Sequence, residues 1–121
     1  MNYASAEVSL MEPNLSEEVQ VLAQRQAALC KVFSNAQRVL ILWFLAEKER
    51  TVSEIASALG ASLPCTSQHL HLMELNDILE SRREGHNIYY RLAENELLKN
   101  CLVLANMPEN AGEGNASGTI S

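Results

Sequence analysis

The chain has 121 residues, enough for one domain, with an ordinary globular balance of 47% apolar and 20% charged residues. Its net charge of −6 counts against nucleic-acid binding unless the charge is unevenly placed, because phosphate contacts need Lys and Arg. The longest apolar run, Val39 to Ala46, is far too short to span a membrane.

Residues Met1 to Pro13 show no clear period. Asn14 or Ser16 can cap a helix whose first turn carries Glu17 and Glu18, favourable charges at a helix N-terminus. Val19, Leu22, Ala23, Ala27, Cys30 and Phe33 then form an apolar stripe at helical spacing. Ser34 and Asn35 punctuate. From Ala36 to Glu47 the chain is apolar nearly all round, the pattern of a helix at the centre of a domain.

Thr51-Val52-Ser53-Glu54 reads as a capping box, in which hydroxyl and carboxylate satisfy each other's free backbone amides. Val52, Ile55, Ala56 and Leu59 follow on one helical face, and Gly60 is placed to end that helix in a left-handed conformation. Ser62 can cap the next helix, with Pro64 in its first turn, where no amide is needed. Thr66, Leu70 and Met73 mark its buried side, and Asn76-Asp77 ends it. Two helices joined by a short turn containing Gly make a helix-turn-helix pattern.

The period then changes to two. Leu79, Ser81 and Arg83 alternate with Glu80, Arg82 and Glu84, Gly85-His86-Asn87 supplies turn chemistry, and Ile88 to Leu92 is rich in strand formers. This reads as a β-hairpin of about five residues a side. A final helix is expected from about Glu94 to Met107, stopped by Pro108. The expected organisation is a flexible arm over 1–15, one domain over 16–107 and a disordered Gly/Asn/Ser-rich tail over 108–121.

Four segments, in order, resemble the ArsR/SmtB family of transcription regulators. Cys30-Lys-Val-Phe-Ser-Asn-Ala-Gln-Arg38-Val-Leu-Ile-Leu42 is similar to its F-K-A-L-S-D-P-T-R-L-R-I-L stretch. Thr51 to Leu59 is similar to its helix before the turn, and Ser62-Leu-Pro-Cys-Thr-Ser-Gln-His-Leu70 to its recognition helix, S-Q-P-T-V-S-H-H-L. Arg82-Arg-Glu-Gly-His-Asn-Ile-Tyr-Tyr-Arg-Leu92 resembles its wing, R-R-E-G-R-x-V-Y-Y-R-L. The chain departs at Asn35-Ala36-Gln37 (usually Asp-Pro-Thr), at Cys65 (usually Thr) and at His86, where the wing tip loses a permanent positive charge. The resemblance implies a mainly α winged helix-turn-helix that dimerises through its first and last helices. It implies a repressor binding an inverted-repeat operator in double-stranded DNA.

On that reading the recognition helix presents Pro64, Cys65, Ser67, Gln68 and His71 opposite its buried side. Gln68 can pair bidentately with adenine, and Ser67 and His71 can reach a base or a phosphate. The wing offers Arg82, Arg83, His86, Asn87 and Arg91, while Thr51 and Ser53 can donate to a phosphate at their helix N-terminus. The plainer alternative is a solvated helix face beside an edge hairpin protected by charge. Six of the fifteen acids, Glu7, Glu12, Glu17, Glu18, Glu109 and Glu113, fall in the terminal segments, outside this reading head.

The family's familiar metal ligands are missing: Thr51 to Leu59 has no cysteine, and Glu94 to Met107 has no Asp or His. No metal and no cofactor is expected, although Cys65 and His69, four apart on one helix, leave open a non-standard site. Three widely spaced cysteines form no disulfide framework. Cys65 on the reading head is a candidate redox switch. Cys30 and Cys101, on the expected dimer helices, are candidates too, or simply pack as small hydrophobes. No nucleophile–base pair or phosphate loop suggests an enzyme. With no signal-peptide pattern, a cytoplasmic protein without membrane contact is expected. The competing reading is a protein-interaction winged helix with little DNA affinity.

Overall fold

The computed structural model describes residues 14–111. Its elements run α1 (Glu17–Val32), α2 (Ala36–Leu45), β1 (Arg50–Thr51), α3 (Val52–Leu59), α4 (Leu63–Leu75), β2 (Leu79–Glu84), β3 (Asn87–Leu92), α5 (Glu96–Lys99) and α6 (Leu102–Ala105). The strands form one antiparallel sheet in the order β1-β3-β2, with Arg50 opposite Tyr90 and Leu79 opposite Leu92. This is the expected mainly α winged helix-turn-helix.

Local chemistry sets the helix boundaries. Ser16, Asn35, Thr51 and Ser62 each accept the amide three residues on, at the starts of α1 to α4. Helix α3 closes with Gly60 at φ 67°, and the Ala61 amide donates to the Ala56 carbonyl. Helix α4 closes the same way with Asp77 at φ 60°, and the Ile78 amide donates to the Met73 carbonyl. Both are left-handed closures in which the last carbonyls find amide partners. The hairpin turn is the two residues Gly85-His86, with Gly85 at the positive φ that such a turn requires.

The core gathers Leu29 and Val32 of α1, Ile41, Leu42 and Leu45 of α2, Ile55 of α3, Leu70 and Met73 of α4, Ile78, Leu79 and Tyr90 around the sheet, and Leu98 of α5. Each large side chain so buried contributes about 1.5–3 kcal/mol. Helix α2 buries Ile41, Leu42 and Leu45 against α3, α4 and β3, while Leu40 on its outer side is exposed. Tyr90 is the tyrosine that joins the core, and burial followed by the nearby Glu74 carboxylate pushes its pKa up.

Helix α1 forms as expected, with Leu29 and Val32 entering the core while Val19, Leu22 and Cys30 of its apolar stripe lie exposed. One expectation needs correction: the single helix over 94–107 is instead two short helices with Cys101 extended between them at φ −82°, ψ 149°. Asparagine chemistry explains the break. The Asn95 side chain caps α5 and donates to the Asp77 carbonyl. Asn100 donates its side-chain amide back to the Glu96 carbonyl, and Asn106 does the same to Leu102, so each closes a turn rather than continuing it. The Trp43 indole then holds α6 against α2 through the Val103 carbonyl at 2.9 Å. Of the expected arm and tail, residues 1–13 and 112–121 lie outside the described residues.

Candidate nucleic-acid interface

The sequence folds its helix pair tightly at the turn. The Thr51 amide donates to Glu54 Oε1 at 2.9 Å and the Glu54 amide to Thr51 Oγ1 at 3.1 Å, completing the capping box. Thr51 is therefore half-buried with its amide occupied, whereas Ser53 is exposed. Only three residues, Gly60, Ala61 and Ser62, separate α3 from α4. Thr66, Leu70 and Met73 are wholly buried and fix which side of α4 faces in. Pro64, Cys65, Ser67, Gln68 and His71 all lie exposed, so the structure brings the expected reading residues together on one face. Leu63 and Leu72 are exposed beside them. The Thr66 hydroxyl is buried without a hydrogen-bond partner among the described residues.

The wing is less basic in effect than in composition. Strand alternation sends successive side chains to opposite faces. Arg82, opposite Tyr89, and Glu80, opposite Arg91, share one face with Glu84. There the Arg82 guanidinium binds Glu49 at 2.7 Å and Glu84 at 2.7 Å and lies over the Tyr89 ring at 4.5 Å. This hydrogen bond holds the Glu49 carboxyl below its usual range. Arg91 donates to Glu80 at 2.8 Å. Arg83, opposite Ile88, shares the other face with Ser81 and Leu79. It is exposed and has no ion pair among the described residues. His86 and Asn87 are exposed at the tip. The three arginines expected to act alike thus divide into two neutralised ones and one available one.

Sequence reasoning missed three contributors. Glu49 carries no motif, and it meets Arg82 only because the hairpin folds back beside β1. Gln37 and Arg38, in the first turn of α2, reach α4. Arg38 Nη1 lies 3.3 Å from His69 Nδ1, and Gln37 Oε1 lies 2.9 Å from His69 Nε2. The Cys65 thiol approaches the same Gln37 oxygen at 3.8 Å. Cys65 and His69 therefore meet at a glutamine. Among the described residues no three His, Cys, Asp or Glu side chains gather as a metal site.

Comparison with known proteins bears on this arrangement. The family model for bacterial regulatory proteins of the arsR family matches residues 35–81, the stretch from the α2 cap through α4 into β2. The chain is 33% identical over 78 residues to the biofilm growth-associated repressor of Xylella fastidiosa, covering 64% of this chain and 68% of that protein. The chain belongs to the ArsR family. The HTH-type transcriptional regulator KmtR of Mycobacterium tuberculosis is 38% identical over 85 residues, 69% of this chain. This ArsR chain spans 65% of the length of KmtR and 37% of the M. tuberculosis regulator Rv0324. Among solved structures, BigR of X. fastidiosa superposes with a TM-score of 0.63 at 32% identity, covering 76% of this chain and 92% of that one. The homodimeric winged helix-turn-helix DNA-binding domain Mb0332 of Mycobacterium bovis gives a TM-score of 0.65 at 33% identity, covering 76% and 83%.

Proposed function

We propose that this ArsR-family chain is a dimeric transcriptional repressor that reads an imperfect inverted repeat, one reading helix per major groove. The observation that carries this reading is the two-sidedness of α4. Its inner side is anchored by three wholly buried residues, while Ser67, Gln68 and His71 project from a rigid, capped helix into solvent. A helix so held presents hydrogen-bonding groups at a defined angle, as direct readout needs. Arg83 supplies a phosphate contact from the wing, with Thr51 and Ser53 at the α3 N-terminus. Leu15 just before α1, Val19 and Leu22 on it, and Leu102 on α6 are exposed apolar residues that a second copy would cover, which supports pairing through the outer helices. Mb0332 is described as homodimeric. Cys65, exposed within the reading face, gives the repressor a thiol-sensitive point, since an oxidised or alkylated sulfur there obstructs docking.

One observation favours the competing reading of a protein-interaction winged helix: Arg82 and Arg91 are both neutralised by carboxylates, in a chain of net charge −6. The experiment that separates the two is DNA selection from the chain's own upstream region, followed by binding measured across salt. A repressor binds a subset of fragments and weakens steeply with salt. Absence of binding at low salt favours the interaction reading.

A further inference from the structure

We infer that Arg38 and Gln37 are positioning residues for the reading helix, clasping it through a neutral His69, so that discrimination between operator and random DNA falls as His69 becomes protonated. The inference deepens the repressor reading and rests on it for its DNA arm.

The hydrogen-bond inventory fixes the imidazole. A guanidinium only donates, so the Arg38 Nη1 group 3.3 Å away requires a lone pair on His69 Nδ1. The proton then sits on Nε2, which donates to Gln37 Oε1 at 2.9 Å. Arg38 is itself tied down: its Nε donates to the Val32 carbonyl, at the C-terminal end of α1, at 2.7 Å. Its backbone amide donates to the Asn35 cap at 3.1 Å. A polar chain therefore runs from the end of α1, through the first turn of α2, to the middle of α4 and back.

This chain has work that the core leaves undone. Thr66, Leu70 and Met73 hold α4 by apolar contact, which is non-directional. A helix held only that way can rotate slightly about its axis at low cost. His69 sits between Gln68 and Leu70 in sequence, so its two hydrogen bonds fix the rotation that aims Gln68 and His71. A proton added at Nδ1 turns an acceptor into a donor that faces a donor. It also sets an imidazolium against a guanidinium in a half-buried place.

The charged group that faces His69 from α2 is Arg38, and the Val32 carbonyl of α1 reaches it through Arg38. On α4 itself Cys65 lies one turn earlier. Of the acids on α3 and α4, Glu54 of α3 is occupied by the Thr51 amide and Glu74 of α4 by the Ser81 hydroxyl of β2. No carboxylate among the described residues bonds the ring to favour its charged form. Burial, and then Arg38, lower the His69 pKa. The neutral clasp is therefore complete above the ordinary histidine value of about 6.5, and its stabilisation is lost as pH falls below that value.

The test has two arms on the full chain. Imidazole nitrogen NMR, without DNA, should show His69 as the Nε2–H tautomer with a titration midpoint below the ordinary histidine value of about 6.5. Arg38→Met should raise the His69 midpoint alone, with the Trp43 indole signal confirming an intact fold. In the second arm, the ratio of affinities for selected and random DNA should fall about threefold to tenfold as pH is lowered from neutral through the His69 midpoint read by NMR, the scale of one lost hydrogen bond. His69→Gln, which keeps a donor toward Gln37 and cannot titrate, should hold that ratio constant. An Nδ1–H tautomer, a His69 midpoint at or above about 6.5, or an unchanged pH response in His69→Gln overturns the inference. Because the NMR arm needs no DNA, failure to bind any DNA refutes the repressor reading separately, and the titration alone then decides the clasp.

Discussion

Replacing Arg83 with Ala removes the wing cation that the structure leaves unpaired. Strand alternation places Arg83 on the face opposite Arg82, away from Glu80 and Glu84, with no ion pair among the described residues. Arg82 is held by two carboxylates and a tyrosine ring, so it has little to offer a phosphate. Each phosphate neutralised on duplex DNA adds about 0.9 to the salt slope of the binding constant. Arg83→Ala should flatten the slope by about that amount. Over a rise from about 50 to about 200 mM salt, wild type then loses about 3.5-fold more affinity than the variant. Arg82→Ala should leave the slope nearly unchanged, whatever it does to wing stability. Fluorescence anisotropy on a labelled duplex, run across salt for wild type and both variants, reads the difference. The reasoning is refuted if Arg83→Ala keeps the wild-type slope, or if Arg82→Ala flattens it equally.

Other consequences follow from single groups. Thr66→Val removes a wholly buried hydroxyl that lacks a partner among the described residues, and should raise stability by about 1 kcal/mol in urea unfolding; a loss would show that the hydroxyl is satisfied. Thr51→Ala deletes the cap of α3 and should lower stability by about 1 kcal/mol, with Glu54→Ala non-additive to it because the two share one box. Cys65→Ser should bind DNA as wild type does and resist thiol oxidants. Persistent sensitivity would move the switch to Cys30 or Cys101.

What the sequence made legible was local. The capping box at Thr51, the left-handed Gly60, the Ser62 cap with Pro64 and the Gly85 turn each follow from the chemistry of a few adjacent residues. They set the element order and the inner face of α4 without tertiary information. The continuous helix expected over 94–107 failed because apolar spacing is blind to Asn100, whose side chain takes the Glu96 carbonyl. The exposed stripe of α1 shows a related limit: periodicity identifies an apolar face but not whether it meets the chain's own core or another surface. The wing's electrostatics needed the fold as well. Arg82 and Glu49 are 33 positions apart, and only the docking of the hairpin beside β1 neutralises one with the other. His69 was legible as a helix residue beside the reading face, while its partners Gln37 and Arg38 lie on another helix.

The central claim is that the face of α4 from Pro64 to His71 reads base edges. The most direct measurement is the affinity of Gln68→Ala for selected and for random duplex at one fixed salt concentration. Loss of a bidentate base contact should cost about 1–3 kcal/mol on the selected site and little on random DNA, so the ratio collapses. Equal losses on both duplexes, or none on either, would contradict base reading by this helix.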